Sequence, residues 1–319
     1  LNAPHLFEVK TSSRFSAALC LGGEVCYSRA AMRAAAIHGP GSSPKYVRLF
    51  QQVAGITWLT EFPAKQDDAE VVLIFGGDGT LHHALVKLAA LQLPVLIVPC
   101  GSGNDFARAL GLRSVKDALN AWFQFVAGRA NVKRVDLGIV TPARNTNEVE
   151  TPTSHYFCTV SGIGLDGEVA RRANRLPSWL RARGGYVLSL LSALYHFAPV
   201  SVRFRSETDV RQSRIFLAAF ANTPAYGGGM RIAPQAILDD GKLDICLVRE
   251  LNKLKFCCLF PSVYSGRHLQ VPEVDYFQTP LLAAESETPL DVFADGEFLC
   301  HTPVQISVAE KVLRMIVPA

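Results

Sequence analysis

Residues 71–80 read VVLIFGGDGT. The first five form a continuous apolar run rich in β-branched residues, the pattern of a strand buried on both faces of a parallel sheet. The next five are turn and cap chemistry. Gly76, Gly77 and Gly79 carry no side chain to block close approach, and they tolerate positive φ. Leu81, Ala84, Leu85, Leu88 and Leu91 then recur at helical spacing, so a helix is expected to follow. Such a strand–turn–helix unit aims backbone N–H groups and a helix N-terminus at an anion. Thr80 can cap that helix and can also hydrogen-bond a phosphate. Asp78 is the odd member, because a carboxylate repels phosphates unless a cation intervenes. The expected cation is Mg2+. The bland alternative is a tight glycine turn with no ligand.

The pattern repeats immediately downstream. PVLIVP (94–99) reads as a strand, CGSGND as a turn, and FARALGL as the opening of a helix. Two such units in succession imply a parallel sheet with covering helices. In GSGNDFAR (101–108), Ser102 and Asn104 can bind phosphate or cap the helix, while Asp105 and Arg108 share a helix face and can pair. Around this centre, Ala34–Ile37 and Thr57–Thr60 read as short strands and Val47–Val53 as a helix. Ser114 can cap a helix running to about Ala127, and VKRVDLGIV (132–140) reads as a strand. Residues 1–32 are weakly patterned and read as a loosely attached leader.

Beyond residue 140 the texture changes. After a polar stretch, TPARNTNEVETPTS, the chain is mostly strand-like: HYFCTVSGIG, VSVRFRS, RIFLAAFAN, KLDICLVRE, LDVFADGEFL and VQISVAEKVLRMIV. Only 168–198 and 252–268 read as helical. An antiparallel, β-rich second domain is expected.

Composition narrows the classes. The 319 residues are 49% hydrophobic, enough for a sizeable core, and the net charge is only +4. A global electrostatic grip on nucleic acid is therefore not expected. Eight cysteines are scattered along the chain without a zinc-type CxxC pair, which suits reduced thiols in a cytosolic protein. The chain as given opens LNAPHLFEVK, with no apolar run of a secretory leader. Residues 184–202 lack any Asp, Glu, Lys or Arg. However, two glycines, Pro199 and several polar residues favour a buried or amphipathic helix over a membrane span.

Familiar alternatives are absent. There is no GxxxxGK[ST], HExxH or GxSxG. GIGLDG (162–167) has dinucleotide spacing, but no Asp or Glu lies between Glu168 and Glu207 to hold a ribose, so it reads as a decoy.

In order along the chain stand GGDGT, GSGNDFAR, GIGLDGEV, NTPAYGGGMRIAPQAILDDGKLD and DGE. Together these resemble the diacylglycerol kinase catalytic-domain superfamily, in particular bacterial soluble lipid kinases, with sphingosine and ceramide kinases as relatives. The resemblance covers roughly residues 34–319. GGDGT also occurs in NAD kinases, whereas the YGGGM and LDDGKLD block is specific to the lipid kinases.

The resemblance implies an α/β fold of two domains. One is an N-terminal three-layer nucleotide-binding domain with a parallel sheet, residues 1–139 plus a returning strand at 304–319. The other is a β-rich, sandwich-like lipid-substrate domain at 140–303, with the active site in the cleft between. It implies transfer of the ATP γ-phosphate to a lipid hydroxyl, with ATP and Mg2+ as cofactors. Thr60, Gly76, Gly77, Asp78, Gly79, Thr80, Leu81, His82 and Ser102 would line the nucleotide. Glu297 would be the general base, with Asp78, Asp105 and Arg108 completing the catalytic set. Asp240, with the carbonyls of Ile237 and Lys242, would hold a metal, and Asp136 would link that metal to the active site.

The chain departs from the family in three places, one of them a short stretch between Thr60 and Gly76 where a peripheral helix is expected to be lost. HGPGS replaces an NPxSG-like motif, and Leu81-His82-His83 stands where Asn-Glu or His-Glu is usual. The paired histidines read either as a solvated helix start or as a substitute phosphate contact. Between Glu168 and Glu207 lie seven arginines (171, 172, 175, 181, 183, 203 and 205) with Trp179 and Leu180 among them. They read either as a patch for an anionic membrane surface or as a solvated basic face over a packed helix. The expected setting is the cytoplasm with peripheral membrane association; homodimerisation stays open. Two other functions remain on the table: a kinase of a soluble metabolite such as NAD, and a nucleotide- or lipid-binding regulator impaired in catalysis.

Overall fold

The computed structural model describes residues 16–19, 25–28, 32–143, 153–174, 192–207 and 209–319. Within the stretch read as a leader, Ser16–Leu19 (β1) and Val25–Ser28 (β2) pair as an antiparallel ribbon of their own. The polar stretch at 144–152 and the arginine-rich residues 175–191 lie outside the described residues.

The first half is built on four parallel strands: Met32–His38 (β3), Ile56–Leu59 (β4), Val71–Gly76 (β5) and Pro94–Pro99 (β6). Their order is β6-β5-β3-β4. Every residue of β5 and β6 is buried, as their unbroken apolar runs require. Pro44–Gln51 (α1), Asp78–His82 (α2), Leu85–Leu91 (α3), Asp105–Ala109 (α4) and Val115–Val126 (α5) join them. Ser114 caps α5 by accepting from the Asp117 amide at 3.2 Å. The helix expected after GGDGT is in fact two, because His83 and Ala84 form a tight turn between α2 and α3. The apolar spacing still holds: Leu81, Ala84, Leu85, Leu88 and Leu91 are all buried.

Val132–Pro142 (β7) leads into the second half: His155–Phe157 (β8), Val160–Gly164 (β9), the helix Leu165–Asn174 (α6), Val200–Arg205 (β10), Val210–Ala221 (β11) and Leu243–Arg249 (β12). Then come the helix Lys253–Leu259 (α7), Val274–Thr279 (β13), Leu281–Ser286 (β14), Asp291–Ala294 (β15), Glu297–His301 (β16) and Val304–Ile316 (β17). The expected architecture, a parallel α/β half and a β-rich half, is what forms. Strands β13 and β14 were not anticipated: β13 is an edge strand partly exposed along its length, so no apolar run marks it.

Strand β17 stitches the halves together. Its C-terminal end runs parallel to β6, and its whole length pairs antiparallel with β7. The register breaks between Ala309 and Leu313, where Lys311 adopts a φ of 53°. In the second half the central strands are buried on both faces. One face packs Phe157, Phe204, Phe220 and Ile245 together; the other packs Phe216, Ala219 and Cys246 against α6 and the 226–236 segment. The glycines of GIGLDG serve this packing. A Cβ on Gly164, itself at φ +88°, would stand 2.6 Å from the Phe216 carbonyl oxygen.

Candidate active site

The carboxyl ends of the parallel strands share one rim, the position where open α/β sheets bind ligands. Three glycine turns meet there. A Cβ on Gly77 would lie 2.8 Å from Gly101 Cα, and one on Gly41 would lie 2.5 Å from the Cys100 carbonyl oxygen. A Cβ on Gly39 or Gly76 would strike Thr80. The HGPGS segment, GGDGT and CGSG therefore interlock by backbone contact. Gly79 differs: a Cβ there would meet nothing within 4 Å. It faces open space beside the N-terminus of α2. Ser102 is exposed on the neighbouring turn, and Thr60 is exposed just past β4, at the far side of the rim.

The polar residues of GSGNDFAR divide their tasks. Asn104, at φ 55°, closes its own turn through two hydrogen bonds with Gly101. Asp105 is buried. One of its oxygens accepts from Arg108 at 2.5 Å, and the other accepts from the Gly228 amide at 2.8 Å. Gly228 lies in YGGGM, so this carboxylate ties the glycine-turn rim to the second half. Asp78 caps α4, accepting from the amides of Asp105 at 2.9 Å and Phe106 at 3.2 Å. Burial pushes its carboxyl up to about 6 against the pull of the Asp105 amide, and the charges of Asp105 and Asp295 add to the rise. No cationic side chain pairs with Asp78 among the described residues.

Across the cleft, β15 and β16 are joined by Asp295-Gly296, both at positive φ, as two-residue hairpins of the Asp-Gly type require. Glu297 opens β16, half-buried. Asp295, which the sequence reading passed over in favour of Glu297, is the hub. Its side chain is fully buried. It accepts from the amides of Cys158 at 2.9 Å and Thr159 at 2.8 Å, and from the Thr159 hydroxyl at 2.6 Å. Its fourth partner is His82 Nδ1 at 2.9 Å. His82 thus reaches from the phosphate turn to the DGE hairpin, and its side chain is only 10% exposed. It is not a solvated helix start; His83 is the exposed member of the pair. Burial alone would lower the His82 pKa, but the hydrogen bond and charge of Asp295, with the charge of Glu297, outweigh it and raise it. Asp295 is held below the usual carboxylate value despite its burial, first by its hydrogen bond to His82 and the charge of that imidazole.

Asp136 is fully buried, and its carboxylate is taken up by backbone: the Lys311 amide at 2.6 Å and the Gly241 amide at 2.8 Å. It anchors the LDDGKLD loop and the kink of β17. Asn222, unnoticed in the sequence, donates through Nδ2 to the carbonyls of Asp136 and Cys158, each at 3.0 Å. A continuous chain therefore runs from the Asp136 loop through Asn222 and Cys158 to Asp295. In that loop Asp240 is half-buried and accepts from the Lys242 amide at 3.1 Å, while Ile237 and Lys242 are exposed. Among the described residues no cluster of three His, Cys, Asp or Glu side chains could hold a metal. The donors that remain, lone carboxylates with carbonyls, are hard oxygens of the kind Mg2+ takes. The unneutralised Asp78 is a second point where a divalent cation fits.

Behind the YGGGM loop lies an apolar pocket, open at its mouth, with an internal volume of about 70 Å³. Leu165 and Val169 of α6, Tyr226 and Met230 of the loop, and Phe256 and Phe260 at α7 contribute to its walls. At the end of the apolar run 184–202, Ala193 and Leu194 are buried in the same cluster. The basic segment is less unopposed than its sequence suggested. Arg171 and Arg172 pair with Glu168, Arg171 also with Asp291, and Arg205 with Glu285.

A parallel α/β rim with glycine turns, facing a carboxylate-bearing hairpin, has the parts that phosphoryl transfer requires. The family follows from comparison. Residues 56–140 match the diacylglycerol kinase catalytic domain, and residues 159–317 match the YegS C-terminal NAD kinase beta sandwich-like domain. A diacylglycerol kinase of Mycobacterium tuberculosis is 34% identical over 256 residues, covering 80% of this chain and 78% of that protein. A diacylglycerol kinase of Bacillus subtilis is 26% identical over 234 residues, covering 72% and 71%. The crystal structure of a diacylglycerol kinase from Bacillus anthracis superposes with a TM-score of 0.60 at 19% identity, covering 90% of this chain and 97% of that one. A second structure from the same organism reaches 0.68 at 21% identity and covers 98% of both chains. The chain belongs to the diacylglycerol kinase catalytic-domain family and is an ATP-dependent kinase.

Proposed function

We propose that the protein transfers the γ-phosphate of ATP to the hydroxyl of a diacylglycerol-like lipid in the cleft between its halves. The observation that carries this is the YGGGM loop. Its Gly228 is held by Asp105 of the nucleotide rim, while its Tyr226 and Met230 wall the apolar cavity. One loop thus couples the phosphate side to a space fit for acyl chains. A polar metabolite such as NAD would leave that apolar wall uncovered.

In this mechanism the glycine turns and the free face at Gly79 seat the triphosphate, with Thr60, Ser102 and the amides of the α2 N-terminus around it. Glu297 accepts the proton of the lipid hydroxyl as its oxygen attacks the γ-phosphorus; the bond to the β-phosphate oxygen breaks and ADP leaves. Bound Mg2+ would supply charge neutralisation at the phosphate oxygens; Asp78 would hold it, with Asp240 and the Ile237 and Lys242 carbonyls a second candidate. Asp105 and Arg108 fix the floor of the site. Asp136 acts at a distance, through its backbone partners and Asn222. Acting on such a lipid places the protein at a membrane surface in the cytoplasm as a peripheral enzyme. The test is radiolabelled ATP against a panel of dispersed lipids, with Asp78→Ala as control. Label should enter a lipid hydroxyl in the wild type and fall by orders of magnitude in the variant. Label entering only a soluble metabolite would overturn the reading.

A further inference from the structure

The helix α7, KLKFCCL at Lys253–Leu259, has no buried residue although five of its seven residues are apolar. At about 100° per residue, its side chains fall into two apolar faces. Phe256 and Leu259, continued by Phe260, point inward and line the cavity. Leu254, Cys257 and Cys258 lie on the opposite face, and all three are exposed, Leu254 by 76%. Lys253 and Lys255 fall between the two faces, one on each flank. A helix with two apolar faces belongs between two apolar neighbours, yet among the described residues none covers the outer face of this one.

We infer that the outer face of α7 is the surface by which the protein seats itself on an anionic lipid bilayer. The inference rests on the lipid-kinase reading above and names its docking face. Three observations select a bilayer as the occupant. First, the face backs directly onto the cavity: the same short helix that walls the apolar space on one side presents its other apolar side outward, so a lipid leaving the membrane has one helix to pass. Second, the charge is complementary. No Asp or Glu occurs between Glu250 and Glu273, while Lys253, Lys255 and Arg267 do. Lys255 pairs with Glu273, but Lys253 donates to the Tyr195 carbonyl at 2.8 Å, and among the described residues no carboxylate pairs with it. Flanking lysines with long stems can snorkel to headgroup phosphates while the face between them enters the acyl boundary. Third, Tyr195, 77% exposed, and Tyr264, 46% exposed, stand beside this segment, and such amphipathic rings favour the bilayer interface. The arginines of α6 are a weaker candidate, since Arg171 and Arg172 already pair with Glu168 and Asp291.

The test is co-sedimentation of the full chain with vesicles of phosphatidylcholine alone or mixed with phosphatidylglycerol. The wild type should bind the mixed vesicles, and Leu254→Asp should lower that binding by about tenfold or more, the partition lost with one buried leucine. Lys253→Glu should lower it further at low salt. Both changes are at the surface, so thermal stability and phosphorylation of detergent-dispersed lipid should be unchanged. A polarity-sensitive dye on Cys257 should shift to the blue on adding mixed vesicles. Wild-type binding by both variants, no vesicle binding by the wild type, or a dimer in vesicle-free solution that Leu254→Asp dissociates would each overturn the proposal. Failure of the lipid-kinase reading shows separately, as absence of phosphorylation of dispersed lipid with vesicle binding intact.

Discussion

The nucleotide rim and the cavity wall do complementary work with opposite materials. The rim is made of glycines pressed backbone to backbone, with Gly77 against Gly101 and Gly41 against Cys100. Nothing there can shift without moving a strand. The cavity wall is made of large apolar side chains on short helices and loops, Tyr226, Met230, Phe256 and Phe260, which can repack by rotation. Phosphoryl transfer rewards fixed geometry, whereas a site for flexible acyl chains rewards an adaptable lining. Glu297, on the hairpin that faces the rim, is the proposed base, and the largest effect should be there. Glu297→Gln should lower kcat by about 10²–10⁴-fold, the usual range for loss of general-base catalysis, with nucleotide binding retained. Single-turnover kinetics beside an ATP titration measures both; near-wild-type kcat would remove Glu297 from the role.

The rim also contains an internal contrast that sharpens the picture. Gly77→Ala would place a Cβ 2.8 Å from Gly101 Cα, a backbone atom with nowhere to go. It should cost roughly 1–3 kcal/mol, as overpacking does, seen as a lower denaturation midpoint. Gly79→Ala meets no protein atom and should leave stability within about 0.5 kcal/mol. It should instead raise the KM for ATP, because its methyl would occupy space assigned to phosphate. If Gly79→Ala destabilised the fold while ATP kinetics stayed unchanged, the assignment of that space would fail.

The same division explains what could be read in advance. GGDGT and GSGND declare themselves because their chemistry is local: each strand, turn and helix start falls within a dozen residues. The cross-cleft contacts are not local. His82 and Asp295 are separated by 213 positions, and Asn222 bridges carbonyls 86 and 64 residues away; no spacing rule connects them. The pairing of Asp105 with Arg108 was legible as a helix-face pair, but its second bond, to Gly228, was not. In α7 the sequence is silent for a different reason. KLKFCCLF reads as helical and is apolar on two faces, but only its placement shows which of them is turned outward.

The smallest effect expected is also the most diagnostic of how rim and hairpin are joined. His82 has its pKa raised in the folded protein, and Asp295 has its pKa lowered. A raised histidine contributes stability that is fully present below its unfolded value of about 6.5 and is lost as pH rises through the folded value. A lowered aspartate contributes stability present above about 3.9 and lost as pH falls through its folded value. The charged pair therefore holds rim and hairpin together most strongly between about pH 4 and 6.5, and weakens on the alkaline side to a neutral hydrogen bond. His82→Gln retains a donor but no charge. It should destabilise the protein by on the order of 1 kcal/mol at pH 5.5, and by less at pH 9, measured as the difference in denaturation midpoint across pH. Because the pair positions the hairpin that carries Glu297, kcat should fall in the variant with little change in the KM for ATP. A stability difference independent of pH would mean that His82 is neutral in the folded protein and that packing, not charge, joins the two halves of the site.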